Sequence, residues 1–157
     1  MAGAQRAHNR ISANLIAAFH GQFRSRPCDV YPSDMRVHVR ATGLYTYPDA
    51  TVVCGEQLFA DSAVDTLLNP SVIVEVLSAS TEAYDRGRKF EQYQPIDSLC
   101  EYLLVSSDRV HVDLYTRQPD GRWLPTSANR LEDALSLESV GARIALSDLY
   151  EKVEFPE

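Results

Sequence analysis

The sequence predicts an α/β protein, close to the border with the α+β class, in which α-helices flank a mixed central β-sheet. Three observations lead to this prediction. Apolar residues recur at helical spacing near the start, several short β-branched runs follow, and a second helical segment separates two groups of these runs. A chain of 157 residues favours one core, so we expect a single domain over 1–157.

The first helix is predicted over 8–23, where apolar residues recur every three or four positions. Pro27 follows this segment and cannot continue a helix. The alternating stretch CDVYPSDMRVHVR, 28–40, predicts one strand with a kink at Pro32.

Two further strands are predicted over 47–54, YPDATVVC, and over 71–78, SVIVEVLS. The polar stretch 55–70 between them shows no periodicity and predicts a connection. Because the second run is apolar apart from one glutamate, it is typical of a strand buried on both faces. A helix is predicted over 86–94, and the proline that follows ends it.

The remaining residues predict mainly strands. The segments EYLLVS, 101–106, and RVHVDLYTR, 109–117, indicate a hairpin with a tight link. Short strands are expected around Trp123 and over 142–146, with a final turn over 147–152.

The composition is that of an ordinary globular protein, with 45% apolar and 24% charged residues. No run approaches the roughly 20 apolar residues of a membrane-spanning helix, and the start, MAGAQRAHNR, lacks the apolar core of a secretory signal. We therefore expect a cytoplasmic protein without a membrane partner. The net charge of −7 disfavours strong non-specific binding of nucleic acid, although a local basic cleft is compatible with an acidic total.

The cysteines Cys28, Cys54 and Cys100 are widely spaced and form neither a CxxC pattern nor a disulfide framework. No cysteine lies in a recognisable nucleophile context. The sequence therefore predicts buried, reduced thiols with a structural role.

Two isolated acids, Asp49 and Glu75, interrupt the predicted strands over 47–54 and 71–78. Burying a carboxylate is costly unless it is paired or bound to a cation. If the strands are neighbours, the two carboxylates lie within a few ångströms, and Mg²⁺ or Mn²⁺ would relieve their repulsion. This predicts a divalent-metal site of the kind that hydrolyses phosphodiesters. A plainer interpretation stays open, with Asp49 as a turn residue and Glu75 paired with a lysine or arginine.

Lys89 is the third candidate, on the predicted helix over 86–94. Asp85, Lys89 and Tyr93 recur every fourth residue and share one helix face. An ammonium beside two acids can orient or deprotonate water, or neutralise charge in a transition state. The alternative is an ordinary surface pair of Asp85 with Lys89 and a core position for Tyr93.

The histidines and Asp34 give weaker indications. His8, near the helix start, is an exposed residue or a contributor to the site. His8 and His20 lie too far apart along the helix to bind one metal ion, and His38 and His111 show no partner in the pattern. Asp34 is typical of a turn or edge residue, but it would extend the acidic cluster if it faced the same way.

Five segments together resemble one known family: HNRISANLIAAF, YPSDMRV, YPDATVVC, NPSVIVEVLSASTEAYDRGRKFEQYQ and EYLLVSSDRVHVDLYTR. They are similar to the Uma-two (Uma2) family of endonucleases, which belongs to the PD-(D/E)xK, restriction-endonuclease-like superfamily. The resemblance covers roughly 8–123 and is most specific over 69–93.

The resemblance implies a restriction-endonuclease-like fold and a metal ion held by Asp49, Glu75 and the main-chain carbonyl of Val76. The superfamily lysine would stand two residues after the glutamate, where this chain has Leu77. In this family the matching position is Lys89, on the following helix. The resemblance also implies three supporting residues: Asp85, Tyr93 and His8.

We therefore expect a homodimer that hydrolyses DNA phosphodiester bonds with Mg²⁺ or Mn²⁺. Family members usually carry a strand of YELIDGE-like sequence before the first helix. This chain begins almost directly at that helix, which is compatible with weakened catalysis. Two alternatives stay open: a non-catalytic binding or scaffold protein, which the acidic charge favours, and a small-molecule hydrolase with the same metal site, since fold does not fix substrate.

Overall fold

A mixed six-stranded β-sheet flanked by helices forms the centre of the structure, which is a computed structural model describing residues 2–63 and 65–155. This confirms the predicted α/β class. The helices are α1 (Ala2–Phe23), α2 (Glu82–Arg86), α3 (Arg88–Tyr93) and α4 (Leu146–Leu149). The strands are β1 (Cys28–Tyr31), β2 (Arg36–Val39), β3 (Leu44–Thr46), β4 (Ala50–Cys54), β5 (Thr66–Leu67), β6 (Val72–Leu77), β7 (Glu101–Ser106), β8 (Val112–Arg117), β9 (Trp123–Ala128), β10 (Ala134–Leu137) and β11 (Ala142–Ala145).

The central sheet has the strand order β1-β4-β6-β7-β8-β9. Only its β6–β7 pair is parallel, and the segment between these two strands carries α2 and α3. Two smaller sheets complete the fold: β3-β2-β5, and the β10–β11 hairpin. The position of β6 in the middle of the large sheet explains its apolar sequence, because both of its faces are covered.

Helix α1 covers one face of the central sheet. Its residues Ile11, Leu15 and Phe19 are fully buried at four-residue spacing, in the core that includes Val52 of β4 and Val74 of β6. The other face packs against α3 and the small β2 sheet, with Phe90 and Tyr93 in a second core. The sheet therefore separates two cores, and every β6 side chain belongs to one side or the other.

The structure corrects two predicted elements. The single strand expected over 28–40 is two strands, because the chain turns at Pro32, whose carbonyl accepts a hydrogen bond from the Met35 N–H. The helix expected over 86–94 is α3, which begins at Arg88, and a separate short helix, α2, precedes it where no helix was predicted. The two are separated at Gly87, a residue with low helix propensity. The sequence patterns also missed the short strands β3, β5 and β10, where two to four residues are too few to show a period.

The prediction of reduced cysteines is wrong for two of the three. Cys28 and Cys54 lie directly opposite each other on the antiparallel strands β1 and β4 and form a disulfide. Cys100 is a free, partly buried thiol. The spacing of the cysteines along the sequence does not predict this disulfide, because it depends on the register between the two strands.

No helix within the described ranges is long and apolar enough to cross a bilayer. The single domain over 1–157 stays a prediction.

The disulfide leads to a stability prediction. The two cysteines are 26 residues apart, so in the loop-closure picture the crosslink stabilises the fold by about 3 kcal/mol. We expect the double variant C28S/C54S to unfold at lower denaturant than the oxidised wild type, and at the same denaturant concentration as the wild type in dithiothreitol. The variant C100S is the control and should keep the wild-type response to reductant. Equal midpoints for the wild type with and without reductant would contradict the prediction.

Candidate functional site

The site begins where β4 and β6 stop pairing. Their last paired residues are Ala50 and Val74, and the same antiparallel register places Asp49 opposite Glu75. Side chains directly opposite each other on neighbouring antiparallel strands have Cβ atoms about 5 Å apart. The two acids that stood out in the sequence are therefore neighbours, on the sheet face that carries Ile73 and Leu77.

The Asp49 side chain hydrogen-bonds to the β6 main chain at the point where β4 no longer pairs with it. Its Oδ2 accepts the Val76 main-chain N–H at 2.7 Å, and its Oδ1 lies 3.2 Å from Nε2 of His8 on α1. Because the N–H and C=O of one strand residue point to the same edge, the Val76 carbonyl also faces the Asp49 side rather than β7. The hydrogen bond to Asp49 is the main cause that raises the His8 pKa, against the effect of burial.

Glu75 is deeply buried, at 4% exposure, as is Asp85. Its Oε1 accepts a hydrogen bond from the Tyr93 hydroxyl at 3.1 Å and lies 3.0 Å from the Lys89 ammonium. Burial raises the Glu75 pKa to about 7, and the nearby charges of Asp49 and Asp85 add to the rise, while Lys89 opposes it. The metal-free protein therefore becomes less stable as the pH rises from the ordinary glutamate pKa towards 7, because the unfolded chain releases this proton earlier.

Lys89 bridges two of the carboxylates. Its Nζ lies 3.0 Å from Glu75 and 3.7 Å from Asp85 Oδ1, and its side chain is 13% exposed. Burial lowers the Lys89 pKa, but the charges and hydrogen bond of the surrounding acids outweigh burial and raise it. A lysine with a raised pKa stays protonated at neutral pH, so the geometry favours a charge-neutralising role over proton abstraction.

The break at Gly87 does not separate the residues that the helix periodicity grouped. Asp85 on α2 and Lys89 and Tyr93 on α3 all converge on Glu75. The Tyr93 hydroxyl also lies 3.3 Å from the Thr46 hydroxyl of β3. The structure therefore brings together all the side chains that the sequence analysis proposed for the site: Asp49, Glu75, Lys89, Asp85, Tyr93 and His8.

A second charged contact holds α2 against the sheet, and the sequence analysis missed it. Arg86 donates to Asp113 Oδ2 of β8 at 2.6 Å and to Glu82 at 3.0 Å. Asp113 also accepts a hydrogen bond from Ser127 and contacts His111. The sequence does contain an indication of this contact, because Asp113 is an isolated acid in an apolar strand, as Glu75 is.

The register of the central sheet explains why Glu75 and Asp113 both contact the adjacent helices α2 and α3. The cross-strand partner of Glu75 is Leu104, whose partner on β8 is Asp113, so the two acids lie in one row across one face. Tyr102, also on this face, donates to the Asp85 carbonyl at 2.8 Å. The sheet therefore fixes α2 at Asp85 and Arg86, next to the residues that point at Glu75.

The remaining candidates lie elsewhere. Asp34 is exposed in the turn after β1 and does not extend the acidic cluster. His38 stacks on Tyr45, with ring centroids 4.0 Å apart, and His111 contacts Asp113. His20 is exposed near the end of α1, far along the helix from His8.

All of the converging side chains except the fully buried Tyr93 line a cleft of about 300 Å³. Within the part of the chain that the structure describes, no group of three His, Cys, Asp or Glu side chains is arranged to hold a metal ion. The available donor set is therefore the two carboxylates of Asp49 and Glu75 with the Val76 carbonyl, all oxygen atoms.

A mixed sheet that presents two neighbouring acids and a helix-borne lysine at one strand edge defines a restriction-endonuclease-like protein. The chain belongs to the Uma2 family, whose family model, described as "Putative restriction endonuclease", matches residues 1–147. Two relatives come from Synechocystis sp. (strain ATCC 27184 / PCC 6803 / Kazusa). Uncharacterized protein slr1290 is 37% identical over 155 residues, which are 99% of this chain and 80% of the relative. Uncharacterized protein sll1609 is 36% identical over 126 residues, 80% of this chain and 71% of the relative.

The protonation of Lys89 can be measured directly, because the sequence contains only two lysines, Lys89 and Lys152. In metal-free protein with ¹³C-labelled lysine, NMR should show two Cε resonances. We expect the Lys89 resonance to titrate above the ordinary lysine pKa, since the surrounding acids favour the ammonium. In E75Q the Lys89 pKa should fall. A Lys89 pKa below the ordinary lysine value in the wild type would instead support a role as a base.

Proposed function

We propose that this protein is a metal-dependent endonuclease that hydrolyses DNA phosphodiester bonds. The observation that carries the proposal is the adjacent carboxylate pair of half-buried Asp49 and buried Glu75, with the Lys89 ammonium 3.0 Å from Glu75. Membership in a family described as restriction endonucleases supports the nuclease class. The homodimer and the cytoplasmic location stay predictions.

The residues present fit a Mg²⁺ or Mn²⁺ ion. These hard cations prefer oxygen ligands, and Asp49, Glu75 and the Val76 carbonyl offer only oxygens at one strand edge. Glu75 is destabilised as an anion in the metal-free protein, as its raised pKa shows, so a cation would restore its charged form. Such an ion, when bound, supplies electrostatic stabilisation to phosphate oxygens and makes water more acidic.

The chain's own side chains provide the rest of the chemistry. Lys89 places a fixed positive charge at the mouth of the carboxylate pair, where it can neutralise charge that develops on a phosphate. The Tyr93 hydroxyl donates to the Glu75 carboxylate and helps to hold it in place, and the Thr46 hydroxyl lies 3.3 Å from the Tyr93 hydroxyl. His8 lies on the open side of Asp49 and, with its raised pKa, carries a second positive charge or a proton for a departing oxygen.

One observation favours the non-catalytic alternative. In the described residues, the carboxylates already have cationic partners, since Asp49 contacts His8 and both Glu75 and Asp85 contact Lys89. A protein that kept these ion pairs as structural contacts would need no metal. Measured metal binding separates the two proposals.

The nuclease proposal predicts that metal binding and cleavage depend on the same two acids. In isothermal titration calorimetry with Mg²⁺ and Mn²⁺, D49N and E75Q should bind at least 10-fold more weakly than the wild type. With plasmid, single-stranded DNA and RNA as substrates, E75Q should lose at least a hundredfold in cleavage rate, as expected for a group that stabilises the transition state.

The control is D97N, which removes the same charge from an exposed turn outside the site and should bind and cleave as the wild type does. A wild type that binds neither metal, and that is as inert as E75Q on every substrate, would overturn the proposal in favour of the non-catalytic alternative.

The role of Lys89 as a fixed charge predicts a difference between two substitutions. K89R keeps the positive charge and should retain at least a tenth of the wild-type cleavage rate, whereas K89M should lose about 10²–10³-fold. Far-UV circular dichroism and thermal melting would verify that both variants fold. Equal, complete inactivity of K89R and K89M, with metal binding intact, would point to proton transfer by lysine instead.

A further inference from the structure

Three adjoining clefts run along α1 and share residues with one another. The site cleft, of about 300 Å³, shares His8 and Asp49 with a second cleft of about 490 Å³. The second cleft shares His20 with a third of about 360 Å³, which is lined by Arg24 and Arg26. We call this continuous path the α1 track. It begins at the carboxylate pair and ends at two arginines beyond the end of α1.

We infer that the α1 track binds a single strand of DNA, whose phosphates reach the arginines when one phosphodiester lies at Asp49 and Glu75. This inference deepens the proposed nuclease function and rests on it. It adds where the strand lies, and that the strand is single.

The charge along the track is the first argument. The whole chain carries 22 acids against 15 lysines and arginines, yet the far end of the track presents two exposed arginines and His20. Arg24 makes no ion pair among the described residues. One acid, Asp29, also lines this cleft and accepts a hydrogen bond from Gln57 at 2.6 Å, so the cations of this end outnumber its acid. Free cations in an acidic protein are suited to phosphates rather than to acidic neighbours.

Arg26 is exposed, and its guanidinium lies beside the main chain of Val140 and Gly141. Its Nη1 donates to the Val140 carbonyl at 3.4 Å. This is a single hydrogen bond, so the other N–H groups of the guanidinium are available to an anion.

The walls of the middle cleft suit nucleobases. One wall is the exposed face of α1, with Ala13, Ile16 and Ala17, and the other is the turn at Pro32 and Ser33. These small and apolar side chains leave a slot for flat rings. Bases can enter this slot only when they are unpaired, because the bases of a duplex are stacked inside it between the two backbones.

The length of the track sets the size of the ligand. The helical rise from His8 to Arg24 is about 24 Å at 1.5 Å per residue. A stacked strand rises by roughly 3.4 Å per nucleotide along its axis, so this length corresponds to about seven nucleotides.

Binding can be measured by fluorescence anisotropy of labelled oligonucleotides with the full chain at low salt in Ca²⁺, a divalent ion that also prefers oxygen ligands. Gel electrophoresis of the same samples verifies that the oligonucleotides stay intact. For single-stranded DNA, we expect affinity to rise with length and level off near seven nucleotides. The double variant R24Q/R26Q should bind at least 10-fold more weakly, and the slope of log K against log salt should decrease by about 1.4, the value for two phosphate contacts on a single strand. A17W should also bind at least 10-fold more weakly, because its ring fills the slot without changing charge.

The matched controls are R109Q/R122Q, which removes two exposed arginines outside the track, and A60W, which adds the same ring on an exposed loop. Both should bind within twofold of the wild type. Equal binding by R24Q/R26Q and R109Q/R122Q would overturn the inference. It would also be overturned if duplex DNA or RNA of the same length bound as tightly as single-stranded DNA.

The same proteins in Mg²⁺ or Mn²⁺ separate this inference from the proposed function. Arginine-dependent binding without cleavage would support the track and overturn the nuclease. Cleavage that is unchanged in R24Q/R26Q and A17W would support the nuclease and overturn the track.

Discussion

The early end of β4 is the constraint on which the site depends. Because β4 stops pairing at Ala50, the carboxyl-terminal half of β6 has an open edge in the middle of the largest sheet. Asp49 fills part of this edge by accepting the Val76 N–H. A fully paired β4 would satisfy the β6 main chain and leave no room for a ligand between the strands. The gap therefore gives two acids one shared opening, and it turns a main-chain carbonyl towards them.

Because Glu75 lies in a central strand, the ionised form of its carboxylate is costly without a nearby cation. The same strand holds Glu75 rigidly in position. A carboxylate at 4% exposure is stabilised by Lys89 and Tyr93, both on α3, so the energetics depend on the position of that helix. Short helices are only marginally stable on their own. The contacts of Arg86 with Asp113, and of Tyr102 with the Asp85 carbonyl, supply the anchoring that helix length does not. The second isolated acid of the sheet thus has a different role from the first, since it faces an arginine and no open strand edge.

Local sequence patterns predict features that depend on a single segment of the chain. They do not predict features that depend on how two segments pair. The period of α1, the buried run of β6 and the four-residue spacing of Asp85, Lys89 and Tyr93 are properties of single segments, and the structure contains each of them. The disulfide of Cys28 with Cys54 depends on the register between β1 and β4. The resemblance to a family, rather than periodicity, singled out Lys89 over a plain surface pair, because an i,i+4 acid–lysine pair is common on exposed helices.

The acidic net charge disfavours binding of nucleic acid, but the distribution of charge over the surface matters more for binding than the total. Salt screens exposed charges beyond about 10 Å at 0.1 M, so a strand along α1 interacts with the cations of that face and little with acids on distant faces. Acids near the cleft have a different effect. Asp49, Glu75 and Asp85 repel a phosphate unless a cation neutralises them, so Lys89 and His8 alone leave the site weak for DNA. In the proposed nuclease, the site end of the track would therefore require a divalent ion before a phosphate could enter, while the arginine end would not. This asymmetry would make the arginines the first point of contact for a strand, and the carboxylate pair the last.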